Sequence, residues 1–172
     1  MDHIRLTVYT ALFVALIACG AFISIPVGPV PIVLQNMFVL LAGLILGPVW
    51  GGAAVGVYLI IGFAGLPVFA GGTAGVGKLF GPTGGYLLAY LPAVFITGAV
   101  SRGLKRTFAG DLAALVTGSL IIYAIGVPWL KAVTAMPWPK AIAVGMYPFL
   151  IGDALKIIAA AFAAKKIRPL MR

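Results

Sequence analysis

Tyr147-Pro148-Phe149-Leu150-Ile151-Gly152-Asp153-Ala154-Leu155-Lys156 sets an acid and a base inside an apolar run covering residues 141–164. A run of that length crosses a bilayer as a helix. Three residues apart, Asp153 and Lys156 share one helical face, and Phe149 and Ala160 continue the stripe on either side. A charge near the bilayer centre costs roughly 2.5–3.5 kcal/mol on insertion scales, so this face is expected to look into a helix bundle. Two readings stand open at this point. The two charges neutralise each other, or they offer an acceptor and a donor to a polar ligand held at mid-depth.

Composition sets the class. Of 172 residues, 63% are hydrophobic and 9% charged, against about 25% charged in soluble proteins, and the mean hydropathy is +1.18. A polytopic membrane protein is expected. The acids are Asp2, Asp111 and Asp153, there is no Glu, and His3 is the single histidine. Catalysis would have almost no proton-transfer or metal-binding groups to work with, so no enzyme, metal or cofactor is expected. The net charge of +9 is read as membrane topology rather than as a nucleic-acid surface. Cys19 is the only cysteine, which rules out an intrachain disulfide. The run from Arg5 to Leu16-Ile17-Ala18-Cys19 has the look of a lipoprotein signal, but it continues through Ile25 and further spans follow, so it is read as a first transmembrane helix.

The chain divides into six apolar segments, residues 6–25, 32–47, 49–66, 83–101, 111–130 and 141–164, which predict an all-α integral membrane protein, one bundle of six transmembrane helices over residues 1–172. Pro26 ends the first segment, whose Ala11, Ala15 and Cys19 form a small-residue stripe suited to close helix approach. The second carries Gln35 and Asn36 near its start, positioned to line a cavity or to meet headgroups. Gly47-Pro48-Val49-Trp50-Gly51 reads as a tight turn, and the ladders Gly43, Gly47, Gly51 and Gly52, Gly56 predict close packing of segments two and three. Asp111 suits the positive end of a helix dipole and is read as structural.

Residues 67–82 form a glycine-rich connector. Gly72 to Lys78 fits the phosphate-loop spacing loosely, but Leu79 replaces the magnesium-binding hydroxyl and no strand precedes it, so nucleotide binding is rejected. Two uses remain: backbone N–H groups of residues 71–75, helped by Thr73 and Lys78, hold an anion, or the stretch is a flexible connector.

An even number of spans puts both termini on one side. That side carries Arg5, Arg102, Lys105, Arg106, Lys165, Lys166, Arg168 and Arg172, and the other Lys78, Lys131 and Lys140, so both termini are expected in the cytoplasm. The external side then gathers Gln35, the glycine-rich loop with Lys78, Tyr86, Trp138 and Tyr147 above a floor of Asp153 and Lys156: a pocket open to the outside. No ATP site and no internal repeat is visible, so a partner would have to supply energy for transport.

Pro29-Val30-Pro31-Ile32-Val33-Leu34-Gln35, Gly65-Leu66-Pro67-Val68-Phe69-Ala70-Gly71-Gly72, Gly81-Pro82-Thr83-Gly84-Gly85-Tyr86 and Pro148-Phe149-Leu150-Ile151-Gly152-Asp153-Ala154-Leu155-Lys156 resemble, in matching order over nearly the whole chain, the BioY family. These are the biotin-specific S components of energy-coupling factor (ECF) transporters. The resemblance implies a protein of the prokaryotic cell membrane that captures external biotin as transported ligand, a transmembrane coupling subunit (T component) and two cytoplasmic ATPases as partners, and no nucleic acid. It implies that Ala11 and Ala15 meet the coupling subunit and that Asp153 and Lys156 hold the ureido ring. Lys78, with Thr73 and the backbone of its loop, is then the candidate for the biotin carboxylate, and Tyr86, Phe149 or Tyr147 for the apolar parts. Two other functions fit the same residues: an S component for a different vitamin, and a facilitator that works without ATPases.

Overall fold

The structure, a computed structural model, describes residues 3–171. Asp2 and Arg172, which entered the acid and base counts above, lie outside the described residues. The fold is almost entirely helical, and among the described residues five helices are long and apolar enough to span a membrane.

Helix α1 (His3–Phe22) buries Thr10, Phe13, Ile17, Gly20 and Ala21 and leaves Ala11, Ala15 and Cys19 exposed on its outer side. It ends earlier than the hydropathy indicates. Ser24–Ile25 (β1) pairs antiparallel with Ile32–Val33 (β2), in the register Ser24↔Val33 and Ile25↔Ile32. Between them Gly28 takes φ 70°, so the proline-rich connector closes as a small hairpin rather than prolonging either helix.

Helix α2 (Gln35–Phe63) holds the second and third expected segments and breaks at Gly47, with φ 83° and ψ −177°. That backbone conformation is essentially closed to residues with a side chain. Pro48 follows at the start of the second arm, where a missing N–H costs nothing. The arms fold back on each other: a Cβ on Gly51 would sit 3.0 Å from the Ala42 carbonyl oxygen, whereas nine residues of straight helix span about 13.5 Å. Helix α3 (Gly84–Gly103) crosses this elbow, and a Cβ on its Gly98 would lie 2.5 Å from Pro48 N and 2.9 Å from Gly43 O. The glycine ladder of the sequence thus serves two contacts, arm on arm and elbow on α3.

Helix α4 (Phe108–Thr134) starts with a side-chain cap, Thr107 Oγ1 accepting from Gly110 N at 3.1 Å. Asp111 does stand in its first turn, but its main partner is remote. Arg168 donates to both carboxylate oxygens at 2.6 and 2.9 Å, Ser101 donates to Oδ1 at 2.6 Å, and Arg168 also reaches Leu44 O at 3.0 Å. One bidentate pair therefore ties α2, α3 and α4 to the end of the last helix.

The run over residues 141–164 is two helices. Helix α5 (Trp138–Gly145) and helix α6 (Tyr147–Ile167) meet at Met146, with φ −134° and ψ −54°. Pro148 has no N–H for the Val144 carbonyl and so favours the break, and it sits in the first turn of α6, where it is tolerated. The Gly145 carbonyl freed at this joint accepts the Tyr86 hydroxyl at 2.8 Å.

Candidate ligand-binding cavity

A cavity of about 170 Å³ lies between the hairpin, the start of α2, the glycine-rich loop and helices α3, α4 and α6, roughly ten times the space one water needs. Its floor is a closed polar network. Lys156 Nζ donates to Asp153 Oδ1 at 3.0 Å, to Asn36 Oδ1 at 3.1 Å and to Val33 O at 2.7 Å. Asn36 Nδ2 donates to Asp153 Oδ1 at 3.0 Å, and the Tyr123 hydroxyl donates to Asp153 Oδ2. All three ammonium protons are engaged, and the carboxylate, 6% exposed, has three of its roughly four acceptor sites filled. The pair does neutralise itself, but as part of a four-residue network that faces an open cavity.

Of the eight residues expected at the site, Asp153, Lys156, Gln35, Thr73, Lys78, Tyr86 and Phe149 line this cavity. Tyr147 does not; it is 60% exposed outside it. The reason is helical phase: Phe149 and Asp153, four apart, share the inner face, and Tyr147 stands about 200° away from Phe149. Trp138 is likewise outside, half-exposed beneath Lys131 Nζ at 5.3 Å.

The glycine-rich loop is an ordered turn rather than a slack connector. Gly71, Gly72 and Gly75 have φ of 71°, 70° and 93°, and the loop is pinned by Phe69, which is 2% exposed and packs edge-on against Tyr58 and Phe63. Its amides are consumed internally: Gly72 N and Thr73 N donate to Phe69 O, and Gly75 N to Gly62 O at 2.8 Å. The backbone of these three residues is therefore not the anion cradle expected from the sequence. The groups that remain to the cavity are the Lys78 ammonium and the Thr73 hydroxyl, which itself donates to Ala70 O at 2.9 Å.

Asn36, Tyr90 and Tyr123 are polar wall residues absent from the set of ligand-binding residues expected from the sequence. Asn36 is read there, with Gln35, as an amide that lines a cavity or meets headgroups, and the structure places it in the wall. Tyr90 and Tyr123 lie in otherwise apolar helices, and a phenol at membrane depth needs a partner, which was the available signal. Gln35 has a property the sequence could not show. It is 1% exposed, and its Nε2 is, among the described residues, the one buried side-chain nitrogen or oxygen without a hydrogen-bond partner. Tyr58, whose hydroxyl donates to Val68 O at 3.0 Å, stands beside it without reaching hydrogen-bond geometry.

The model of the BioY family matches residues 1–172, the full length of the sequence. The chain belongs to the BioY family. A probable biotin transporter BioY of Pyrococcus horikoshii is 42% identical over 158 residues, covering 92% of this chain and 93% of that one. The biotin transporter BioY of Thermotoga maritima is 42% identical over 166 residues, 96% of this chain and 97% of its own. The crystal structure of the S-component for biotin from an ECF-type ABC transporter superposes with a TM-score of 0.92 at 32% identity, covering 98% of this chain and 95% of that chain. BioY proteins are multi-pass membrane transport proteins and not enzymes.

Proposed function

We propose that this chain captures biotin from outside a prokaryotic cell as the S component of an ECF-type importer, and that a coupling subunit and two ATPases energise its uptake. The observation that carries the proposal is the Asp153–Lys156–Asn36–Tyr123 floor of the cavity. A ureido group has two N–H donors and one carbonyl, and a carboxylate beside an ammonium and an amide complements both. In this reading α2 crosses the membrane twice, turning at Gly47, the helices make six crossings, and the excess of Lys and Arg at the end bearing both termini puts that end in the cytoplasm. Thr73 and Lys78 hold the carboxylate end of biotin, while Tyr86 and Phe149 flank its apolar part.

Equilibrium binding of biotin to the detergent-purified protein, without ATP or partners, tests this directly. Tight binding that thiamin and riboflavin fail to displace is expected; a folded protein with no affinity for biotin rejects the ligand.

Gln35 refines the site. Gln35 lines the cavity and its Nε2 has no protein partner among the described residues, so an acceptor on the ligand would satisfy a donor whose burial unpaired costs about 1–3 kcal/mol. Gln35→Met is accordingly expected to raise thermal stability slightly while lowering biotin affinity several-fold. Parallel loss of stability and binding would mark Gln35 as a packing residue.

The exposed Ala11 and Ala15 are proposed as the face of α1 that meets the coupling subunit. Ala11→Leu with Ala15→Leu is expected to leave biotin binding intact and to reduce co-purification with that subunit several-fold. Undiminished co-purification would make the stripe a lipid-facing surface, since it is not buried within the bundle.

A further inference from the structure

The two ends of biotin leave part of the cavity wall unused. The floor network commits Asn36, Tyr123, Asp153 and Lys156, and the Tyr86 hydroxyl is spent on Gly145 O. Thr73, Lys78 and Thr83 belong to the glycine-rich loop and the start of α3. The polar groups that remain in the wall are the Gln35 amide and the Tyr90 hydroxyl. Gln35 is 1% exposed and its Nε2 has no partner; Tyr90 is 4% exposed, and its hydroxyl makes no hydrogen bond among the described residues. Both stand beside Tyr58, whose own hydroxyl is held by Val68 O. Tyr90 lies about 9 Å along α3 from its first residue, close enough to the floor for the Asp153 charge to act on it. An amide and a phenol kept away from water without partners cost stability, and an acceptor on a ligand removes that cost.

We propose that Gln35 and Tyr90 form a subsite for the ring sulfur of biotin, and that this subsite makes biotin sulfoxide a second ligand of the protein. The inference rests on the biotin reading. With the ureido group on the floor and the carboxylate at the loop, the thioether sulfur is the one polar atom of biotin left without a partner. A thioether is a weak acceptor, so the two donors offer more than it uses. A sulfoxide oxygen is a strong acceptor and takes a bond from each of them, while the ureido and carboxylate contacts stay as they are. Rotation about the last torsion of Gln35 brings its nitrogen to the ligand.

Titration of the detergent-purified full chain with biotin, with each epimer of biotin sulfoxide and with dethiobiotin, which lacks the sulfur, tests the subsite. One sulfoxide epimer is expected to bind within about threefold of biotin. Tyr90→Phe is expected to weaken that epimer about fivefold, and Gln35→Met with Tyr90→Phe about twentyfold or more, while biotin loses several-fold and dethiobiotin less than about twofold. Thermal unfolding of the same preparations establishes that the variants are folded, and if the double variant is not, Tyr90→Phe alone decides by the same comparison. Equal losses for all the ligands would make the pair packing residues and overturn the subsite. So would a sulfoxide that the parent protein rejects in both epimers, or that the variants bind as well as the parent does. A folded parent that binds biotin but shows one of these patterns loses the subsite alone. A folded parent that binds neither biotin nor its sulfoxide loses the biotin reading, and the subsite with it.

Discussion

Asp153→Asn is expected to weaken biotin binding on the order of a hundredfold while leaving the bundle folded. Hydrogen bonds to an ionised acceptor contribute about 1.5–3 kcal/mol each, and the substitution removes the charge while keeping the shape. The fold survives because an amide can re-form the local bonds: its oxygen accepts from Lys156 and Asn36, and the Tyr123 hydroxyl can turn to accept from its nitrogen. What an amide cannot do is offer two acceptor oxygens to a ureido ring, or balance the Lys156 ammonium, whose side chain is 13% exposed. Titration of biotin into the variant, with thermal unfolding measured on the same preparation, separates the two effects. Affinity equal to the parent protein's would remove Asp153 from the ligand. Tyr147→Ala provides the contrast and should leave affinity unchanged, since Tyr147 stands outside the cavity.

The second large effect is on stability. Gly47→Ala should lower the unfolding temperature by about 10 °C, from a loss of about 3 kcal/mol. The backbone carries the cost, since φ 83° and ψ −177° is a conformation that L-residues resist. The added Cβ would also displace the guanidinium of Arg102, whose Nε lies 2.7 Å from its position, but that is the end of a flexible side chain and moves aside at the loss of its bond to Leu46 O. Gly56→Ala is the matched control: a Cβ there meets nothing within 4 Å, so an equal or higher unfolding temperature is expected from the gain in helix propensity. A Gly47→Ala protein as stable as its parent would mean that the elbow tolerates another conformation and is not fixed by this residue.

Much of the fold was legible because membrane proteins write it locally. Long apolar runs give the helices, Gly47 followed by Pro48 marks the elbow, and Asp153 with Lys156 marks the inner face of α6, all through hydropathy, backbone freedom and the cost of burying charge. The helix ends were less legible. Hydropathy carried residues 23–25 and 32–34 into helices, where strand pairing across Gly28 pulls them out, and it carried residues 141–164 through the joint at Met146. Pro148 was a visible warning of that joint, and helical phase alone would have turned Tyr147 away from Phe149.

The sequence by itself determined the class of the molecule, the placing of Asp153 and Lys156 on one face of an apolar run, and the family resemblance carried by its glycine and proline motifs. Only the tertiary structure decided which groups meet Asp153. Asn36 is 117 residues away and Tyr123 is 30, and no periodicity links positions on different helices. Tertiary contact also decided that the amide of Gly75 turns inward to Gly62, that Gln35 Nε2 is left unpaired, and that Asp111 binds Arg168 rather than serving the helix dipole alone. The division has one physical cause. Burial and backbone conformation are properties of a short stretch of chain, whereas the pairing of polar groups depends on which helices pack together and at what depth.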